Sequence, residues 1–229
     1  MKTLCVLQHT EAEYLGLMED HFEGRNIRFS YKRPFAPGGT IPADASGYDG
    51  LILLGGGPYG IVSGHLLPSL GPELRLTRSF LDAGLPVVGV EIGAIMLAVA
   101  AGGGAEEAPL RFEVDHARRT RADALGGHMP DRFPMASYIR DRMVAPAGAD
   151  VLAVLPSGDA AVLSLRGNSL AFVGHPGMKS GMAEDLIMEF ADTPEDTVGA
   201  LDALRQAQGE IAEALSQIMV GIGQHTGWI

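Results

Sequence analysis

The sequence has one cysteine, Cys5, so no disulfide can form within the chain, and a small scaffold stapled by bridges is excluded. Basic residues are scarce: 17 Lys and Arg against 28 Asp and Glu leave a formal charge of −11. Such a surface repels a phosphate backbone rather than recruiting it by counterion release, so neither nucleic acid nor an anionic membrane is an expected partner. Internal repeats, low-complexity tracts and linker-like stretches are lacking, and a single domain is expected over residues 1–229. The long apolar run Pro86–Ala105 carries one charge, Glu91, but Gly89 and Gly93 interrupt it and Gly102-Gly103-Gly104 ends it. A strand followed by a buried helix fits that pattern better than a membrane span. Met1-Lys2 leads into only a few apolar residues before Gln8, His9 and Glu11, so no signal peptide is expected. A cytoplasmic setting suits the lone thiol of Cys5, which sits in an apolar strand.

What is present is a βαβ rhythm. Leu4–Gln8 reads as a buried strand, and Tyr14, Leu17, Met18 and Phe22 recur at helical spacing before Gly24. Strands follow at Ile27–Tyr31 and Leu51–Leu54, a helix over about Pro72–Ala83, a strand at Pro86–Val90 and a helix from Gly93. The fold class this predicts is α/β, a mostly parallel central sheet flanked by helices, with ligands at the carboxyl ends of the strands. Val151–Leu155, Ala160–Leu165 and Leu170–Val173 are separated by turn residues and predict an antiparallel extension of the sheet. A helix near Ala183–Phe190 and a final amphipathic helix over about 200–224 complete the chain, the last expected to pack on the chain's own body. Residues 111–142 hold seven Arg and five acids; this segment reads as a solvated connection, or as a surface for an anionic substrate or acidic partner.

Three strand ends carry the chemistry. Gly89-Val90-Glu91-Ile92-Gly93 has the layout of a nucleophile elbow, a strained strand-to-helix turn whose flanking glycines leave room for the chain to reverse. The turn Gly55–Gly60 offers backbone N–H groups of the kind that form an oxyanion hole, with Gly56, Gly57 and the N–H of Ile92 as donors and Tyr59 as a hydrogen-bonding or packed aromatic. His175 follows a third strand in Gly174-His175-Pro176-Gly177. His9 ends the first strand on the same sheet edge, and with Glu91 and His175 it offers the residue types of a metal-binding facial triad. That metal is a secondary reading; no other cofactor is expected.

Together with Val6-Leu7-Gln8-His9, Tyr48–Gly60, Gly84–Ala98 and Phe172–Pro176, these motifs resemble the class I glutamine amidotransferases, in particular the free-standing members similar to the GMP synthase glutaminase domain. The resemblance spans about residues 4–190 and implies a flavodoxin-like fold. It implies a Cys nucleophile at the elbow, a His base and a Glu that orients the His. This chain departs at all but one of these: Glu91 stands for the Cys, Gly177 for the orienting Glu, and Ile95 for a substrate-holding Gln, leaving His175 alone. Glu184 or Asp185, on the following helix, are candidates to replace the orienting acid.

A carboxylate is a far poorer nucleophile toward an amide than a thiolate, so ordinary glutaminase chemistry is not expected. The first reading is a non-thiol hydrolase or lyase in which Glu91 stays ionised at a helix N-terminus and pairs with His175. Its substrate would be a small metabolite bearing an amide, amine or carboxylate. The alternative is a non-catalytic amidotransferase-like regulatory subunit bound to a partner synthetase, or a homo-oligomer. Glu11 and Glu13 lie near enough in sequence to contribute to the metal site, and read otherwise as exposed first-turn helix residues.

Overall fold

The computed structural model describes residues 1–229. A nine-stranded sheet runs through the molecule in the order β2-β1-β3-β4-β11-β10-β9-β6-β7. Its parallel part comprises β1 (Thr3–Leu7), β2 (Arg28–Lys32), β3 (Gly50–Leu53), β4 (Val87–Val90) and β11 (Ser169–Phe172). The order 2-1-3-4 followed by a fifth parallel strand is the flavodoxin-like arrangement, with its switch point between β1 and β3. The antiparallel part comprises β10 (Ala160–Leu165), β9 (Asp150–Val154), β6 (Arg111–Arg119) and β7 (Arg132–Ile139). A small second sheet pairs β5 (Gly104–Glu106) with β8 (Arg142–Val144).

Alternation along the parallel strands divides the core. Leu4, Val6, Ile52, Val88 and Val90 face one cluster, which also takes Met18 and Phe22 of α1 (Met18–Gly24) and Leu215, Ile218 and Ile222 of α5 (Thr197–Thr226). Cys5, Leu7, Leu51, Leu53 and Val87 face the other, with Leu76 and Phe80 of α2 (Leu70–Asp82) and the apolar α3 (Ile92–Ala100). Both faces are covered, so these strands read as continuous apolar runs. Burial pushes the Cys5 thiol up to about 12, which leaves it without nucleophilic character at neutral pH. With α4 (Ser180–Glu189), the terminal helix α5 also buries Met182, Leu186, Leu204 and Ile211 in a third cluster.

Two expectations are corrected. The first helix begins at Met18 rather than near Tyr14, and residues 8–17 form a loop. The Arg-rich segment is not a solvated connection but mainly β6 and β7, ending at the start of β8, and several of its arginines are bonded within the chain. Arg121 pairs with Asp150, Arg119 bonds the Met129 carbonyl at 3.0 Å, and Arg140 bonds the Pro58 carbonyl at 2.9 Å and pairs with Asp192. No helix is long and apolar enough to cross a membrane.

Candidate functional site

The expected elbow is present. Glu91, between β4 and α3, has φ +55° and ψ −119°, a conformation that costs a non-glycine residue about 1–3 kcal/mol and is sustained by its surroundings. Its N–H donates to the Phe172 carbonyl of β11 at 2.8 Å. The flanking glycines are required sterically: a Cβ on Gly89 would lie 2.4 Å from the Gly93 carbonyl oxygen, and one on Gly93 would lie 2.2 Å from that of Leu53.

The carboxyl of Glu91 is fully buried, and its neighbours are not those the sequence suggested. Oε1 accepts the Tyr138 N–H of β7 at 2.6 Å. Oε2 faces Oε1 of Glu13 across Gly55: a Cβ on that glycine would meet the two oxygens at 2.2 and 2.1 Å, so only glycine leaves room for both carboxyls. Glu13 is equally buried, and its Oε2 accepts the Gly57 N–H and faces the Thr10 hydroxyl at 3.4 Å. The two inward oxygens have no donor of their own, so the pair is satisfied only when one carboxyl carries a proton and donates it to the other. Two carboxylates side by side cannot both ionise in a dry site. Burial pushes Glu13 up to about 7 against the bonds it receives, and burial together with the Glu13 charge raises Glu91 well above its ordinary value. The expectation that Glu91 stays ionised is therefore overturned by desolvation.

His175 does not pair with Glu91. Its Nε2–H donates to the Tyr14 carbonyl at 2.9 Å, and its Nδ1 accepts the Gly177 N–H at 3.1 Å, which fixes the neutral tautomer. Burial holds it down at about 4. Neither Glu184 nor Asp185 takes the orienting role, because both ring nitrogens are committed to backbone and Glu184 bonds Arg205 at 2.9 Å instead.

His9 reaches a different partner. Its Nδ1 donates to the Gly55 carbonyl at 2.8 Å, and its Nε2 lies 2.7 Å from Glu73 of α2, with both side chains sealed from solvent. A ring that donates at Nδ1 meets a carboxylate at Nε2 only as an imidazolium. Burial opposes that charge, but the charge and hydrogen bond of Glu73 outweigh it and raise the His9 pKa. His9, Glu91 and His175 are thus not gathered as metal ligands, and no group of three or more His, Cys, Asp or Glu side chains is disposed to hold a metal. Tyr59 packs edge-on against Phe190, with ring centroids 5.9 Å apart, and Ile95 lies in the core. Gly56 and Ile92 are in close approach, a Gly56 Cβ falling 3.0 Å from Ile92 Cγ2.

Glu13, expected to be exposed, is a buried acid, and a second buried acid, Glu73, escaped the sequence reading. Thr10-Glu11-Ala12-Glu13 has the spacing of a capping box, and the Glu13 N–H does donate to the Thr10 hydroxyl at 3.1 Å, but no helix follows there and the side chain turns inward. Glu73 carried a signal: with Leu76, Thr77 and Phe80 it lies on the buried stripe of α2, where an unpaired charge is costly and a partner is implied.

The fold matches known structures. A glutamine amidotransferase from Methylobacillus flagellatus superposes with a TM-score of 0.82 at 18% identity, covering 99% of this chain and 96% of that one. One from Thermotoga maritima gives 0.78 at 20% identity, covering 96% and 98%. The chain has the glutamine amidotransferase fold. A candidate component of GMP synthase from Thermoplasma acidophilum aligns less closely, at 0.60 and 18% identity, covering 92% and 98%. No family model matches the sequence, and no curated protein matches it either. In this chain the space around the strained turn at Glu91 is filled by its own carboxyls.

Proposed function

We propose that this protein is a non-catalytic binding or regulatory module of amidotransferase fold that works with a partner polypeptide, a synthetase being the class the fold suggests. One observation carries the reading: the groups an amide hydrolysis would need are already bonded within the chain. The elbow carboxyl is sealed against Tyr138 and Glu13, the Gly57 N–H that would face an oxyanion is held by Glu13, and both His175 nitrogens are held by backbone. A hydrolase or lyase working through Glu91 and His175 needs the two in contact and open to substrate, and their bonding favours neither condition. Support for a partner comes from the neighbour that is a candidate component of GMP synthase.

The test is conversion by the isolated chain. Ammonia release from glutamine, asparagine and a panel of small amides is expected to stay at the uncatalysed level, and a larger synthetase is expected to co-purify with the tagged chain from its native cells. Ammonia release that Glu91→Ala abolishes would reinstate the acid–base enzyme and refute this reading.

A further inference from the structure

Strand β6 is bonded to β7 from Arg111 to Arg118, but β9 meets its other edge only at Arg118–Val154 and Arg119–Ala153. Beyond that point the chain of β9 turns away: the Leu155 N–H donates to the Asp159 carbonyl at 2.8 Å and the next strand begins at Ala160. Over residues 111–117 β6 therefore has one free edge. In an antiparallel pair every second residue turns its N–H and C=O away from its neighbour, and nothing else in the chain bonds these outward groups. A free edge is a template for another strand unless proline, charged side chains, a bulge or a covering segment blunts it. Arg111–Ala117 contains no proline, and its charges, Arg111 against Glu113 and Asp115, leave an acidic balance that opposes an acidic strand and not a basic one.

A cleft of about 1030 Å³ lies beside this edge. Consecutive residues from Ala108 to Asp115 all line it. Successive strand side chains point to opposite faces, so a cleft that reaches residues of both parities runs along the strand's edge rather than over one face. The opposite walls are the turn between β9 and β10 and the start of α5, which presents the small residues Gly199, Ala200 and Ala203. Five carboxylates line the cleft, on Glu113, Asp115, Asp159, Glu195 and Asp196, against the guanidiniums of Arg111 and Arg142. Phe112, Ile139 and Val173 add apolar surface.

We propose that this cleft takes an extended, basic segment of a partner polypeptide, added as a strand to the free edge of β6. Main-chain hydrogen bonds to the outward groups of 111–117 supply affinity. The segment's alternate side chains meet the carboxylates on one side and the apolar surface on the other, which supplies selectivity. The inference rests on the partner-binding reading and names where and how the partner attaches.

Fluorescence anisotropy on the full chain tests it with a labelled peptide of about eight residues alternating Lys and Val. Two controls are the same peptide N-methylated at every second residue and a Glu-Val counterpart. Saturable binding of the Lys-Val peptide is expected, weakened about tenfold or more by N-methylation, by the Glu exchange, and by Glu113→Lys with Asp115→Lys in the protein. If the double variant misfolds, the N-methylated peptide still decides, because it leaves the protein unchanged. Absence of saturable binding, or equal binding of the N-methylated or acidic peptide, overturns the proposal. Self-association of the chain that Glu113→Lys abolishes would assign the edge to a second copy and overturn it as well. Ammonia release reports on the elbow and peptide binding on the cleft, so the two readings fail separately.

Discussion

Replacing Glu91 with Gln keeps the side chain's shape and its bond from Tyr138 but removes the need for a shared proton, and its effect on stability is expected to grow with pH. In the wild type, burial lifts Glu13 from 4.5 to about 7 and raises Glu91 as well. Between those values the folded chain holds a proton that the unfolded chain has released, so stability falls as pH rises through that window. A shift of this size is equivalent to about 3 kcal/mol. His175 acts in the opposite sense: held at about 4 by burial, it stays neutral while the unfolded chain binds a proton, so stability falls as pH drops from 6.5 toward 4. The two slopes oppose each other where the windows overlap. The difference between variant and wild type cancels His175 and isolates the carboxyl pair. Urea unfolding of both proteins from about pH 5 to about pH 9 measures it. Because Glu91 is raised well above its ordinary value in the folded chain, Glu91→Gln should gain on the wild type as pH rises across that range, by more than the roughly 1.4 kcal/mol that one pKa unit represents. A difference that stays constant to within about 0.5 kcal/mol would refute the shared proton.

Gly55→Ala places a Cβ 2.1 Å from Glu13 Oε1 and 2.2 Å from Glu91 Oε2; a loss of about 2–3 kcal/mol is expected in calorimetry, and an unchanged Tm would contradict the placement of the two carboxyls. Glu73→Gln leaves His9 buried without its counter-charge, and a cost of about 3–5 kcal/mol is expected by denaturant unfolding. Because His9 is raised above 6.5 in the folded chain, the pair's contribution is full below that value and is lost as pH rises through the folded one. That dependence should vanish in Glu73→Gln, and its persistence would locate the titration elsewhere. Glu91→Cys is expected to release no ammonia from glutamine, because the Gly57 N–H and both His175 nitrogens remain occupied; activity in that variant would show that the surrounding bonds yield to substrate.

The parallel half of the sheet was legible because β1, β3 and β4 are buried on both faces, and such strands appear as apolar runs. The elbow was legible for a related reason. Gly89 and Gly93 are forced by backbone atoms 2.4 and 2.2 Å from where a Cβ would sit, and forced glycines leave a spaced mark in the sequence. Residues 111–142 were hard to read because β6 is only partly buried: its charged residues alternate with Phe112, Val114 and Ala117 in a pattern that charge density obscures. The bonding around Glu91 was not legible. Whether Glu91 meets His175 or Glu13 depends on how loop 8–17 folds back, with Tyr14 bonding His175 and the Leu17 N–H donating to the Gly177 carbonyl at 2.9 Å. Those are backbone contacts between distant segments, which residue types do not encode.

Amide hydrogen exchange at Gly57 and Tyr138 tests the self-filled elbow most directly. Both N–H groups donate to buried carboxyls of this chain, Gly57 to Glu13 and Tyr138 to Glu91. In the ligand-free protein near about pH 6 both should exchange as slowly as the central strands, through global opening. Fast exchange at either position would mean that the pocket stands open and that its donors are free for substrate.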